Sequence, residues 1–171
     1  MNDRIGTGAP AEQQQRWPSL LVLLTCLVVC FVAAGIGSML TLPSIPTWYE
    51  SLTKPPFNPP NWVFGPVWTL LYALMAVAMW RAWTASSGAR RARAVAVFAL
   101  QLVLNVAWSA VFFAAHSTAG GLVVIVALIA AIAATILVFA RIDRLAALLL
   151  LPYMAWVCFA TVLNASLWAL N

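Results

Sequence analysis

The sequence predicts an all-α membrane protein, a bundle of five transmembrane helices with a long, ordered, proline-rich loop between the first and the second. Three observations carry that prediction. Apolar residues make up 64% of the 171 positions and charged residues 8%, against about 45–50% and about 25% in soluble domains. A single core of this size still needs a polar exterior in water, so the solvent around this chain is lipid. The apolar residues fall into five runs, at about 18–42, 62–84, 92–115, 119–140 and 145–169. Each is long enough to cross about 30 Å of hydrocarbon at about 1.5 Å per helical residue. The basic residues, finally, sit in short clusters between the runs, which is a pattern of membrane topology. The net charge of +5 is therefore not read as a nucleic-acid-binding face, and no nucleic-acid partner is expected.

Residues 1–16 (MNDRIGTGAPAEQQQR) are polar and short of large apolar side chains, so a disordered tail is expected there. Residues 17–171 then form one domain. The first run, Trp17 to Leu42, exceeds the apolar region of about 7–15 residues found in cleaved signal peptides and is read as a retained span. Ala, Leu and Val dominate the runs without period-two alternation, which argues against a β-barrel; a lone apolar run that must satisfy its own backbone hydrogen bonds is helical.

The stretch from Pro43 to Asn61 carries Pro43, Pro46, Pro55, Pro56, Pro59 and Pro60, which forbid one continuous helix and favour extended or turn geometry. Trp48, Tyr49, Phe57 and Trp62 give it apolar surface to bury, so it is expected to form an ordered lid over one end of the bundle. The other connections (TASSGARR, HST and RIDR) are short and force antiparallel neighbours. With five spans, Arg4, Arg16, Arg81, Arg90, Arg91, Arg93, Arg141 and Arg144 share one side and Lys54 stands on the other. The positive-inside rule then places the N-terminus inside, as in a bacterial cytoplasmic membrane.

Polar residues inside the spans mark the candidate site. Gln101, Asn105 and Ser109 lie on one face of the third span at i, i+4, i+8. They act either as hydrogen-bonding links between helices or as ligand contacts. Trp156, Ala160 and Asn164 repeat that spacing in the fifth span, where the small Ala160 leaves a notch for a neighbouring helix or a ligand edge. Trp68 and Tyr72 pair at i, i+4 near the loop end of the second span. With Trp108 they line an aromatic cavity if these faces converge. Trp17, Trp80, Trp83 and Trp168 lie near span ends and read as interfacial belt residues, and Trp62 as an anchor of the loop edge.

His116 reads as a solvated loop histidine. Cys26, Cys30 and Cys158 read as small packing residues. With one His and no acidic residue inside an apolar run, neither a metal site nor a catalytic triad is expected, and no phosphate loop or cofactor is implied. The absence of intramembrane carboxylates also argues against an ion-coupled pump.

Three blocks carry a resemblance. WYESLTKPPFNPPNWVFGPVWTLLY (Trp48 to Tyr72), QLVLNVAWSAVFF (Gln101 to Phe113) and PYMAWVCFATVLN (Pro152 to Asn164) resemble, in order and spacing, the signature segments of the TspO/MBR family. The likeness runs from about Gly35 onward. It implies a five-helix membrane fold, often homodimeric, whose cavity is roofed by the first loop and binds porphyrins such as protoporphyrin IX, with sterols or synthetic aromatic ligands in some members. Some bacterial members break down protoporphyrin in light and oxygen. By position, the family's loop tyrosine falls on Tyr49, its two porphyrin-handling tryptophans on Trp68 and Trp156, its third-helix asparagine on Asn105, and its small fifth-helix residue on Ala160.

Two departures matter. The segment LNASLWALN lacks the Tyr and following basic residue of the sterol pattern, and the fourth span has no carboxylate. The resemblance thus implies a receptor or sensor for porphyrins and other flat apolar ligands, bound by Tyr49, Trp68, Tyr72, Gln101, Asn105, Trp108, Ala160 and Asn164. The alternatives are a light- and oxygen-dependent protoporphyrin-degrading enzyme using Trp68 and Trp156, and a transporter of porphyrins or other lipophiles.

Overall fold

The computed structural model describes the backbone of residues 11–171 and the side chains from Ser19 onward. Among these residues the fold is all helical: α1 (Ala11–Thr41), α2 (Phe64–Thr84), α3 (Gly88–Ser109), α4 (Thr118–Ala140), α5 (Arg144–Leu148) and α6 (Leu151–Leu170). Five stretches are long and apolar enough to cross a membrane: Ser19–Tyr49, Asn61–Thr84, Gly88–Ala114, Thr118–Ala140 and Arg144–Leu170. These match the five expected spans and make the chain an integral, multi-pass membrane protein. The tail expected over residues 1–16 lies largely outside the described residues, as does the side chain of Trp17; the helical backbone starts at Ala11.

The boundaries differ from the sequence reading in three places. The first span does not end at the prolines. A 3-10 turn (Leu42–Ser44) and a π turn (Ile45–Tyr49) carry it on, and Pro43 and Pro46 each stand in the first positions of a turn. There the missing N–H has no helical partner to lose. Only residues 52–60 run through bends and turns before Asn61–Val63 leads into α2. The third span begins at Gly88, a left-handed residue with φ +53°, so its arginine cluster lies within the helix. The fifth span is broken at Leu149–Leu150, and Pro152 stands in the first turn of α6.

α1 packs along α2 and α3, α3 along α4, and α4 along α6. The core at the centre of the bundle contains Cys30, Met75, Ile125, Leu128, Ile132, Phe139 and Tyr153, all nearly inaccessible. At the arginine-rich end, Arg81 of α2 donates to Asp143 at 2.7 Å, and Asp143 caps α5 by accepting from the Ala146 N–H at 3.1 Å. Partial burial raises the pKa of this carboxyl. The Ala146 N–H and the hydrogen bond and charge of Arg81 outweigh that and hold it below the ordinary aspartate value. Trp80 and Trp83 do more than sit at an interface. The Trp80 indole donates to the Ser19 carbonyl at 2.9 Å, and Arg91 lies 4.7 Å over the Trp83 ring. Trp62 and Trp168 are exposed, as belt residues are.

Candidate ligand-binding cavity

At the other end, α1, α2, α3 and α6 stand apart around a cavity of about 400 Å³, within the range of about 300–1,000 Å³ typical of small-molecule sites. Ile45 and Tyr49 bound it from the turns that follow α1, and Asn61, Trp62 and Phe64 from the entry to α2. Its walls combine Trp68 and Tyr72 of α2, Asn105, Trp108 and Ser109 of α3, Phe112 and Phe113 of the π turn after α3, and Trp156, Ala160, Leu163, Asn164 and Leu167 of α6. The faces singled out in the sequence therefore converge, because 3.6-residue periodicity aims i, i+4 pairs from separate helices at a common axis.

Asn105 is the hub of the floor. It is buried, accepts from the Tyr72 hydroxyl at 2.6 Å and donates to the Tyr153 hydroxyl at 2.9 Å. One amide thus joins α2, α3 and α6. Asn164 plays the same part on the side wall, accepting from the Trp108 indole N–H at 3.2 Å and donating to the Thr118 carbonyl at 2.7 Å. Both asparagines link helices and also line the cavity. Gly121 makes the Asn164 contact possible: a Cβ there would lie 2.9 Å from Asn164 Oδ1 and 2.9 Å from the Phe112 ring.

The aromatic rings around the cavity pack in three groups. Trp68 leans on Tyr72 at 5.7 Å and meets Tyr153 edge-on at 6.3 Å. Trp108 stacks on Phe112 at 5.3 Å, and Trp156 meets Phe64 at 6.0 Å. Above them Tyr49 packs on Phe113 at 5.7 Å and donates to Asn58 at 2.7 Å. Farther along, the Thr53 backbone exchanges two hydrogen bonds with the Asn171 side chain, at 2.9 and 3.2 Å. These contacts fasten the α1–α2 connection to the bundle.

Of the site residues expected from the sequence, Tyr49, Trp68, Tyr72, Asn105, Trp108, Ala160 and Asn164 line the cavity. Gln101 does not. It is buried one helical turn farther into the core, its amide N–H 3.8 Å from the Met75 sulfur. The face of α3 turns away from the cavity there as the helices close together.

The sequence reading missed Phe112 and Leu167, which line the cavity, and Tyr153, which lies behind the wall as the acceptor of the Asn105 amide. Their signal is the heptad-like spacing Asn105–Trp108–Phe112 and Tyr153–Trp156–Ala160–Leu163–Leu167, which continues the chosen faces by alternate steps of three and four. His116 is an exposed loop residue, as expected, but it also makes specific contacts. Its ring stacks on Trp48 at 4.7 Å, its Nε2 lies 3.3 Å from the Ser44 hydroxyl, and its backbone is left-handed at φ +53°.

Five membrane-length helices, four of which surround an aromatic-walled cavity, define a polytopic α-helical membrane protein. Residues 26–169 match the model of the TspO/MBR family, and the chain belongs to that family. It is 41% identical to the tryptophan-rich protein TspO of Chlorobaculum tepidum, over 89% of this chain and 97% of the relative. It is 38% identical to the tryptophan-rich sensory protein of Cereibacter sphaeroides, over 88% and 91%, and 39% identical to the human translocator protein, over 72% and 75%.

Proposed function

We propose that this chain is a membrane receptor or sensor that binds porphyrins and other flat apolar ligands in the cavity beneath the α1–α2 connection. The observation that carries the reading is the set of rings from Trp68, Tyr72, Trp108, Phe112 and Trp156 around one space of about 400 Å³. Flat ligands gain about 0.5–1.5 kcal/mol per aromatic pair beyond the apolar area they bury. Residues 52–60 and the turns before them serve as the lid. The chain lies with its arginine-rich end on the inner side of a bacterial cytoplasmic membrane, and pairs with a second copy, as the family resemblance implies.

The test is a titration of protoporphyrin IX into the purified, detergent-solubilised chain, followed by tryptophan quenching. Wild type is compared with Trp68→Phe and Trp156→Phe. Saturable quenching with a stable porphyrin spectrum is expected, weakened in both variants. Absence of saturable quenching refutes the reading. Because Trp68 and Trp156 both line the cavity, the same samples under light and oxygen test the degrading-enzyme alternative, whose mark is tryptophan-dependent loss of the porphyrin spectrum.

A further inference from the structure

The end of the bundle away from the cavity carries a charge imbalance. Among the residues whose side chains are described, it holds Arg81, Arg90, Arg91, Arg93, Arg141 and Arg144 against one carboxylate, Asp143. Two of these arginines are engaged. Arg81 pairs with Asp143 at 2.7 Å. Arg91 donates to the Ser86 carbonyl through Nε at 2.8 Å and through a terminal nitrogen, and its guanidinium covers the Trp83 ring at 4.7 Å. Arg90, Arg93, Arg141 and Arg144 are exposed and enter no ion pair among the described residues, where Arg81–Asp143 is the one formed.

These four come from two corners that packing brings together. The Thr135 hydroxyl reaches the Val97 carbonyl at 3.2 Å, and Phe139 stacks on Phe98 at 6.3 Å. The last turns of α4 therefore lie beside the first turns of α3. Arg90 and Arg93 precede that contact in α3, and Arg141 and Arg144 follow it beyond the end of α4. In antiparallel helices both pairs then emerge at the same end. The Arg81–Asp143 pair ties the α4–α5 corner to the last turn of α2 there as well.

Helix energetics explain only part of the patch. Arg81 and Arg141 stand at helix C-termini, where the dipole favours a cation. Arg90, Arg91 and Arg93 stand in the first two turns of α3, with no acidic residue in the first turn. There the dipole disfavours a cation, and like charges one turn apart repel. A negative group from outside the chain offsets both terms.

Position says what that group is. Arg90 and Arg93 open the span Gly88–Ala114, and Arg141 and Arg144 lie where Thr118–Ala140 gives way to Arg144–Leu170. Trp80 and Trp83, half-buried in the last turns of α2, stand at the same end, as indoles do at headgroup depth. A guanidinium at that depth keeps its stem along apolar surface and meets lipid phosphates, which its paired N–H groups fit.

We propose that this patch is a binding surface for anionic phospholipids: Arg90 and Arg93 of α3, with Arg141 and Arg144 of the α4–α5 corner, hold headgroup phosphates in the leaflet at that end. A glycerol headgroup leaves the phosphate charge free for the arginines. A choline headgroup supplies its own cation and competes with them.

The full chain in a non-ionic detergent is titrated with dioleoylphosphatidylglycerol or dioleoylphosphatidylcholine. The melting midpoint is followed, and native mass spectrometry counts the lipids retained. Arg90→Gln/Arg93→Gln and Arg141→Gln/Arg144→Gln are compared with Lys54→Gln, at the opposite end of the bundle. Phosphatidylglycerol is expected to raise the midpoint saturably and phosphatidylcholine to leave it nearly unchanged. At about fivefold in affinity per arginine near an anionic surface, each glutamine pair should weaken phosphatidylglycerol binding about tenfold or more. Lys54→Gln should bind as wild type does, and Arg90→Lys/Arg93→Lys should retain most of the affinity. Equal responses to the two lipids, unchanged affinity in both glutamine pairs, or an equal loss in Lys54→Gln overturns the inference. Inorganic phosphate is the soluble control: if it raises the midpoint and displaces the lipid, the patch takes free phosphate and the lipid assignment fails. A measurement on wild type alone guards against a variant that does not fold. Raising salt should strip phosphatidylglycerol from the protein, and retention that salt does not alter overturns the inference.

Discussion

Replacing Asn105 with Ala removes the one group that joins the Tyr72 and Tyr153 hydroxyls across the cavity floor. Both hydroxyls are buried, on residues 4% and 0% exposed, and lie 2.6 and 2.9 Å from the two ends of the amide. Truncation leaves one donor and one acceptor without their partners in a region with little access to water. In soluble proteins each such orphan costs about 1–3 kcal/mol. Between membrane helices the measured coupling averages about 0.6 kcal/mol and reaches about 1.7, because the unfolded chain in a bilayer also finds partners. Two bonds at the membrane values give a loss of about 1–3 kcal/mol. At about 2–4 °C per kcal/mol for a chain of this size, the melting midpoint in detergent is expected to fall by about 2–12 °C.

A double-mutant cycle isolates the Tyr72 contribution. Tyr72→Phe and Asn105→Ala, singly and together, should show a coupling of about 0.6–1.7 kcal/mol. Ligand affinity should fall as well, since the Tyr72 ring that leans on Trp68 loses its anchor. A midpoint within 1 °C of wild type, with additive single effects, refutes the view that the Asn105 hub holds the three helices in register.

Three further expectations follow from particular contacts. Gly121→Ala forces a Cβ against Asn164 Oδ1 and the Phe112 ring, each at 2.9 Å; the freed Trp108 indole should change its emission maximum and flat-ligand affinity should drop, and unchanged emission with unchanged affinity contradicts the packing described. Asp143 has a folded-state pKa below its unfolded value, so its contribution is complete above the unfolded pKa of about 3.9 and is lost as pH falls through the folded one. Asp143→Asn should lower the melting midpoint at pH 7 and flatten its dependence below about pH 4, whereas parallel pH profiles for the two proteins exclude the Arg81 pairing as the source. At His116, Ala and Gly substitutions both lose the Trp48 stack, but only Gly tolerates φ +53° without the left-handed cost of about 1–2 kcal/mol. His116→Gly should therefore melt above His116→Ala, and the reverse order refutes the backbone assignment.

The sequence by itself determined the spans. Lipid as solvent permits only self-satisfied helices of about twenty apolar residues, and that constraint is local, so the number, order and approximate extent of the five spans from Ser19–Tyr49 to Arg144–Leu170 could be read directly. It also marked Asn105, Trp108, Ala160 and Asn164, because an amide, a notch or an indole in the interior of an apolar helix is costly unless it faces protein. Periodicity alone could not say how far along a face the helices stay apart. Gln101 and Asn105 share one stripe of α3. Only the approach of α2, which brings Met75 to 3.8 Å from the Gln101 amide, closes the bundle at the first and leaves it open at the second.

The turns after Thr41 were misread for a related reason. A proline forbids a backbone donor, but whether a donor is needed depends on where each turn begins. The role of His116 was invisible because Ser44 and Trp48 lie about seventy residues away in the chain. Helix formation in a membrane is fixed by the solvent and read locally; the cavity and its hubs arise where distant segments meet, and tertiary packing decides them.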